Sequence, residues 1–185
     1  MNQREDRLFT DIVSRFAEES KCCKIKVASL AVRDKSPLCV GINGTAPGME
    51  NCKDHFYKKY LEENKLPKDA RNYYDFSRSI AKWNNYDPNI LEHFYRDFLE
   101  EHHKWSYIHE LHAEQNLIAR CLKQKISLEG ATIYQTHFTC PECARLLSRT
   151  GIKELVYIND YDRQNNESLE ILQSQKIVVR QYREE

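Results

Sequence analysis

The chain has 185 residues, 41% of them apolar, enough for one domain with a full core and a sizeable insertion. Its 28 basic and 28 acidic residues cancel, which argues against a strong electrostatic footprint for nucleic acid or an anionic membrane. No apolar run reaches the length of a membrane span, and "MNQREDRLFTD" lacks the apolar core of a signal peptide, so a soluble cytosolic protein is expected.

In chain order, Leu8, Ile12, Val13 and Phe16 recur at helical spacing and predict a first helix over about Asp6 to Ser20. "KIKVASLAVRD" and "SPLCVGING" read as two strands of an antiparallel hairpin that turns at Asp34 to Ser36. "GINGTAPG" is then a turn-rich loop. From about residue 55 to 103 tyrosines and charges replace strand chemistry, which predicts a helical insertion after the second strand. Within it, "YDPNILEHFYRDFLEEHH" has a capping Asp87, Pro88 in the first turn, and an apolar stripe of Ile90, Phe94, Tyr95, Phe98 and Leu99. Arg71, Arg78 and Lys82 lie among the aromatics and could serve contacts between copies.

Beyond the insertion, "HAEQNLIARCLKQ", "PECARLLSRT" and "NESLEILQS" predict helices that alternate with the strands "ATIYQTH", "KELVYIN" and "KIVVRQY". The alternation implies an α/β fold, with a mixed five-stranded sheet covered by helices in three layers. The whole of residues 1–185 is expected to form one domain.

Seven cysteines and seven histidines are many for a chain in a reducing compartment, and they favour metal ligation or catalysis over disulfides. Cys39 and Cys121 sit inside apolar runs and read as small buried hydrophobes. His112 and Glu114 of "LHAEQN" fall in the first turn of one predicted helix. Cys140 of "TCPEC" precedes another, and Cys143 lies one turn into it. Thiolates three residues apart face one side of a helical turn and can hold one metal. A histidine added to them makes three ligands and leaves the fourth position of a tetrahedral zinc open, as catalysis needs. Glu114, two residues from His112, is placed to move protons rather than to ligate, and a metal beside it makes water acidic near neutral pH.

H-x-E alone occurs by chance, and C-x-x-C alone could be redox-active or structural. Together, in this order and on these elements, they match the signature of the zinc deaminases that act on cytosine or adenine. Thr139 stands where that signature has proline, a departure that bears on the stiffness of the loop and leaves the ligands intact.

The chain resembles the deoxycytidylate (dCMP) deaminases, especially those of large tailed bacteriophages. The likeness runs through "ESKCCKIKV", "GINGTAPGMENCKD", "HHKWSYIHELHAEQN", "LEGATIYQTHFTCPECARLL" and "GIKELVYINDYD". It implies a cytidine-deaminase-like α/β/α fold, hydrolysis of dCMP to dUMP and ammonia to supply thymidylate synthesis, and a homohexamer working in the host cytoplasm. It also implies activation by dCTP and inhibition by dTTP, with Mg2+ on the effector phosphates. By the same resemblance His112, Cys140 and Cys143 hold the catalytic zinc and Glu114 shuttles protons. Asn43 of "GING" and Tyr161, with Asp162 beside it, contact the nucleotide. Cys22, Cys52, His102 and Glu110 hold a second, structural zinc that ties the inserted segment down, while Cys23 points elsewhere as a packed thiol. Arg120 and Lys123 fall where the family carries an aromatic residue and an effector arginine. Lysine lacks the arginine fork, so regulation by dCTP and dTTP could be altered or absent here.

Rival readings are a deaminase of free cytidine, a nucleic-acid editing deaminase, and a non-catalytic zinc-stabilised assembly protein. Zero net charge and the "GING" loop speak against the second. Glu114 has no reason to be a carboxylate in the third.

Overall fold

A computed structural model describes residues 3–63, 93–160 and 165–183. The helix start at Asp87 and Pro88, the cations Arg71, Arg78 and Lys82, and the nucleotide contacts expected of Tyr161 and Asp162 lie outside the described residues. In chain order the elements are α1 (Gln3–Glu18), β1 (Ala28–Arg33), β2 (Ser36–Ile42), β3 (Gly44–Thr45), α2 (Cys52–Glu62), α3 (His93–His109) and β4 (Glu110–Leu111). Then follow α4 (Ala113–Gln124), β5 (Thr132–His137), α5 (Pro141–Leu147), β6 (Glu154–Asn159), α6 (Asn165–Ser174) and β7 (Val178–Gln181). They divide into two compact units. One comprises Met1–Ser20, Val27–Asn43 and His112–Glu185, and the other Lys21–Lys26 with Gly44–Leu111.

The first unit holds a mixed five-stranded sheet in the order β2–β1–β5–β6–β7. β1 pairs antiparallel with β2 and β5, while β5, β6 and β7 run parallel. The β1–β2 hairpin turns tightly through Asp34 and Lys35, whose φ values of 50° and 61° match the right-handed twist of the flanking strands. Side chains alternate between the two sheet faces, so neighbours in sequence enter different cores. Ala31, Ile133 and Leu155 pack with Leu117, Leu147 and Leu172 from α4, α5 and α6. Leu30, Tyr134 and Val156 pack with Phe9, Val13 and Ala17 of α1. That gives the expected three-layer α/β/α fold. Cys121 lies in the first of these cores, with Cys39 half-buried against it.

Helix α1 is turned relative to its predicted stripe. Phe9, Val13 and Ala17 face the sheet, whereas Leu8 and Phe16 are 53% and 38% exposed. The cause is a buried charge. Asp6 accepts two hydrogen bonds of 2.7 Å from the Arg180 guanidinium on β7 and one of 2.9 Å from the Tyr134 hydroxyl. Arg180 also donates to Glu154 at 2.8 Å. An unpaired carboxylate there would be costly, so this fork fixes the rotation of the helix.

Helix α4 lies directly on β2. Asn116 donates through Nδ2 to the Ile42 carbonyl at 2.8 Å, and Arg120 through Nη1 to the Val40 carbonyl at 3.1 Å. Gly41 makes this approach possible. A Cβ built on it would overlap the Ala113 carbonyl oxygen and the Leu117 amide nitrogen, and would come within 2.8 Å of the Leu117 Cα. All of these are backbone atoms, which cannot swing aside.

In the second unit α2 starts at an Asn51 cap that accepts from the Asp54 amide at 3.0 Å. Its Phe56 and Tyr60 join Phe98 of α3 in an aromatic core, with Phe56 and Phe98 edge to face at 5.2 Å. Lys59 and Tyr60 both donate to Glu101, at 2.8 and 2.7 Å. α3 continues past the predicted His103 to His109, where β4 pairs with β3 through Gly44↔Leu111 and Thr45↔Glu110. This short ladder has no strand-length sequence signal.

Gly41→Ala is therefore expected to lower stability by about 1–3 kcal/mol or more, because α4 must shift off β2. Urea unfolding measures it, and an unchanged midpoint would contradict the close approach.

Candidate active site and second metal-ligand cluster

Two helices of the first unit begin with residues that can bind metal. His112 caps α4 and Cys140 caps α5, both in extended backbone, with φ/ψ of −66°/159° and −75°/163°. The His112 amide donates to Gln115 Oε1 at 2.8 Å, three residues into α4, which fixes the entry of the chain into the helix. Pro141 at the first position of α5 sets the same entry there. Cys143 lies in the first turn of α5, so Cys140 and Cys143 face one way. His112 Nδ1 is 3.5 Å from both sulfurs. The three donor atoms lie within 4.8 Å of one another.

The cluster is graded in depth: His112 is exposed, Cys140 half-buried and Cys143 buried. Glu114, in the first turn of α4, is only 4% exposed. Hydrogen bonding with Cys143, joined by His112, pushes the Cys140 thiol down to about 4. The partner effect raises Cys143, through its hydrogen bond with Cys140 and through burial. His112 is pushed up to about 9, chiefly by Cys140. Burial lifts the Glu114 carboxyl above its ordinary range, opposed by its own backbone amide and by Thr139. Two helix N-termini aimed at the cluster favour a thiolate as well. A histidine and two thiols at this separation suit zinc and leave room for a further ligand on the exposed side.

The second unit brings together Cys22, Cys52, His102 and Glu110, whose donor atoms also lie within 4.8 Å of one another. Cys22 Sγ is 3.4 Å from His102 Nε2. His102 is 4% exposed and stacks on Phe56, with ring centroids 5.6 Å apart. Glu110 Oε1 is buried and makes no hydrogen bond among the described residues. An orphaned carboxylate oxygen beside two thiols and an imidazole is what an absent cation would leave. Four donors, three of them buried, fit a closed, structural zinc. The Cys22 thiol is raised, first by its hydrogen bond with Cys52 and then by burial, as expected of thiols that ionise only with a metal.

Cys23 does not point elsewhere. Its Sγ lies 3.2 Å from Cys52 Sγ, and its amide donates to that sulfur at 3.5 Å. Irregular backbone at residues 21–26 lets both neighbours approach the start of α2, which strict alternation would forbid. Asn43 is committed to the fold on its accepting side: its Oδ1 takes hydrogen bonds from Ser20 Oγ at 2.7 Å and the Val27 amide at 2.9 Å. Gln115, Asn116 and Gly41 were not singled out from sequence. Of these only Gln115, three residues after the cap, carried a local signal.

The family model for the cytidine and deoxycytidylate deaminase zinc-binding region matches residues 3–159. The chain belongs to this deaminase family. It is 34% identical over 147 residues to the deoxycytidylate deaminase of Enterobacteria phage T4, covering 80% of this chain and 74% of that one. The phage T2 deoxycytidylate deaminase is 33% identical over the same length, 80% and 76% covered. The deaminase fold is shared with the dCMP deaminase of cyanophage S-TIM5 in complex with dCMP and dUMP. That structure superposes with a TM-score of 0.65 at 22% identity, over 98% of this chain and 99% of that one. Among the described residues no helix is long and apolar enough to cross a membrane.

In this deaminase stripped of metal, hydrogen bonding with Cys143 and His112 holds the Cys140 thiol well below the ordinary thiol range, so of the cluster thiols it is the one that gives up its proton first as pH rises. At pH 7 iodoacetamide is expected to label Cys140 well before Cys143, Cys22 or Cys52, and zinc to protect it. Peptide mass spectrometry reads the order, and Cys143 labelling first would contradict it.

Proposed function

We propose that this chain hydrolyses dCMP to dUMP and ammonia, with a zinc ion held by His112, Cys140 and Cys143 and with Glu114 as the proton shuttle. The observation that carries this reading is the meeting of one imidazole and two thiols at two helix N-termini around a buried carboxylate. Zinc bound there would act as a Lewis acid and bring the ionisation of water down toward neutral pH. Burial holds Glu114 above the ordinary carboxyl range, closer to the working pH of a group that must both take and give a proton. Glu114 would take one proton from the water as its oxygen bonds to C4 of cytosine and give it to ring N3, then carry the remaining hydroxyl proton to the amine, so that the C4–N bond breaks, ammonia leaves and the C4 carbonyl forms. The half-buried to exposed side of the cluster, at Cys140 and His112, is the side from which substrate enters. Asn43 belongs to this reading as a contact to a sugar hydroxyl, with its side-chain oxygen also accepting from Ser20 and the Val27 amide. Tyr161 belongs to the same reading as a nucleotide contact.

The second zinc is part of the proposal, held by Cys22, Cys52, His102 and Glu110. All four ligands belong to the second unit, so the metal would tie that unit's own pieces together: residues 21–26, α2, α3 and β4. Residues 1–185 then act as one deaminase domain carrying an inserted stretch. Assembly as a homohexamer in the host cytoplasm, and control by dCTP and dTTP with Mg2+, rest on the family resemblance alone. At the two positions where the family carries an aromatic residue and an effector arginine, Arg120 donates to the Val40 carbonyl and Lys123 is exposed.

Purified protein is expected to contain about two zinc ions per chain, falling to about one in Cys22→Ser. Metal analysis showing about one in both would remove the second site. Glu114→Gln is expected to keep its zinc and lose about 10²–10⁴-fold in turnover of dCMP. Equal rates on cytidine and dCMP would remove the nucleotide assignment, and undiminished turnover in Glu114→Gln would remove the mechanism.

A further inference from the structure

Thr139 departs from the deaminase signature, which has proline immediately before the first cysteine. Proline there would stiffen the loop between β5 and α5. In this chain other groups hold that loop. The Phe138 amide donates to the Asn159 carbonyl at 2.8 Å, and Asn159 Nδ2 donates back to the Thr136 carbonyl at 2.9 Å. The Phe138 ring packs on Tyr157 with centroids 4.7 Å apart. The β5–β6 pairing extends to His137↔Asn159, at the very edge of the loop. Thr139 is not needed for stiffness, so its contribution is chemical.

Its hydroxyl is in an unusual position. Thr139 is 1% exposed, and its Oγ1 is one of the few buried side-chain oxygens that make no hydrogen bond among the described residues. A buried hydroxyl without a partner is costly and rare. Glu114, 4% exposed, lies in the first turn of the helix that His112 caps, and the His112 ring is 3.5 Å from the sulfur of Cys140, the residue after Thr139, so both buried side chains flank one cluster. The Cys143 thiol also borders Glu114. Once Cys143 ligates a metal it does so as a thiolate and has no proton to give. The Thr139 hydroxyl, which can always donate one hydrogen, then becomes the side-chain donor available to the carboxylate.

We propose that Thr139 is a positioning residue for Glu114: its hydroxyl donates to the Glu114 carboxylate in the loaded site and holds the rotamer from which the proton is moved. The position at which the deaminase signature has proline thus gives this chain a second hold on its proton shuttle. This rests on the reading of Glu114 as the shuttle.

The test uses the full-length, zinc-loaded protein and the pair Thr139→Val, which keeps shape and removes the hydroxyl, and Thr139→Ser, which keeps the hydroxyl. Thr139→Val is expected to retain its zinc, keep KM for dCMP within about twofold and lose roughly tenfold in kcat, with Thr139→Ser recovering most of it. Independently of turnover, the Glu114 carboxylate stretch, assigned in the infrared by its loss in Glu114→Gln, should shift in Thr139→Val and not in Thr139→Ser. A Thr139→Val enzyme with undiminished kcat, a loss that Thr139→Ser shares, or an unmoved carboxylate band would each overturn the proposal. An unmodified chain that does not deaminate dCMP would sink the substrate assignment instead, and the infrared band would still decide the role of Thr139.

Discussion

The close seating of helix α4 on strand β2 is the constraint on which the site depends. Three things hold it: the missing Cβ at Gly41, the Asn116 amide on the Ile42 carbonyl and the Arg120 guanidinium on the Val40 carbonyl. With α4 seated, its first residue caps the helix at the same place where α5 begins. His112 and Cys140 are both caps, in nearly the same extended backbone. A cap side chain projects past the helix end, toward the unpaired amides and the positive end of the dipole. Two such ends facing one another gather an imidazole and two sulfurs within 4.8 Å. Glu114, two residues on in the first turn of α4, is buried beside them.

The two donor clusters use the same side-chain types for different physical ends. Around His112 there are three donors, graded from exposed to buried, with a buried carboxyl whose pKa burial has raised. Around His102 there are four donors, three of them buried and backed by an aromatic core. A site with a vacant position at its surface can admit a reactant, whereas a closed one can only hold chain segments together. The Glu110 oxygen, buried without a hydrogen bond among the described residues, is free to serve as a fourth donor there. The amide and sulfur of Cys23, next to Cys52, add a partner to that cluster without joining the four converging atoms.

Strand alternation was legible along the chain because period-two burial writes itself into neighbouring residues, as in Leu30 and Ala31 or Leu155 and Val156. The motif His112, Glu114, Cys140, Cys143 was legible for a similar reason: each half is a short-range pattern at a helix start. The α1 stripe was half legible: Ile12 and Val13 pack toward the sheet as expected, while Phe9 and Ala17 take the buried places expected of Leu8 and Phe16, because Asp6 is buried rather than facing water. Its partner, Arg180, is 174 residues away.

The sequence by itself determined the layered α/β fold, the alternation of its helices and strands along the chain and the short motifs of histidine, glutamate and cysteine at helix starts, because these follow from local periodicity and from spacing within a single turn. Only the tertiary structure decided which way α1 faces, that Asn43 and Arg120 are engaged by nearby backbone, that Cys23 sits against Cys52, and that the Thr139 hydroxyl is buried next to Glu114. Each of those depends on a partner from another element. Two elements can approach only as closely as their backbones, their missing side chains and their buried charges allow, and no single stretch of sequence contains both sides of such a contact.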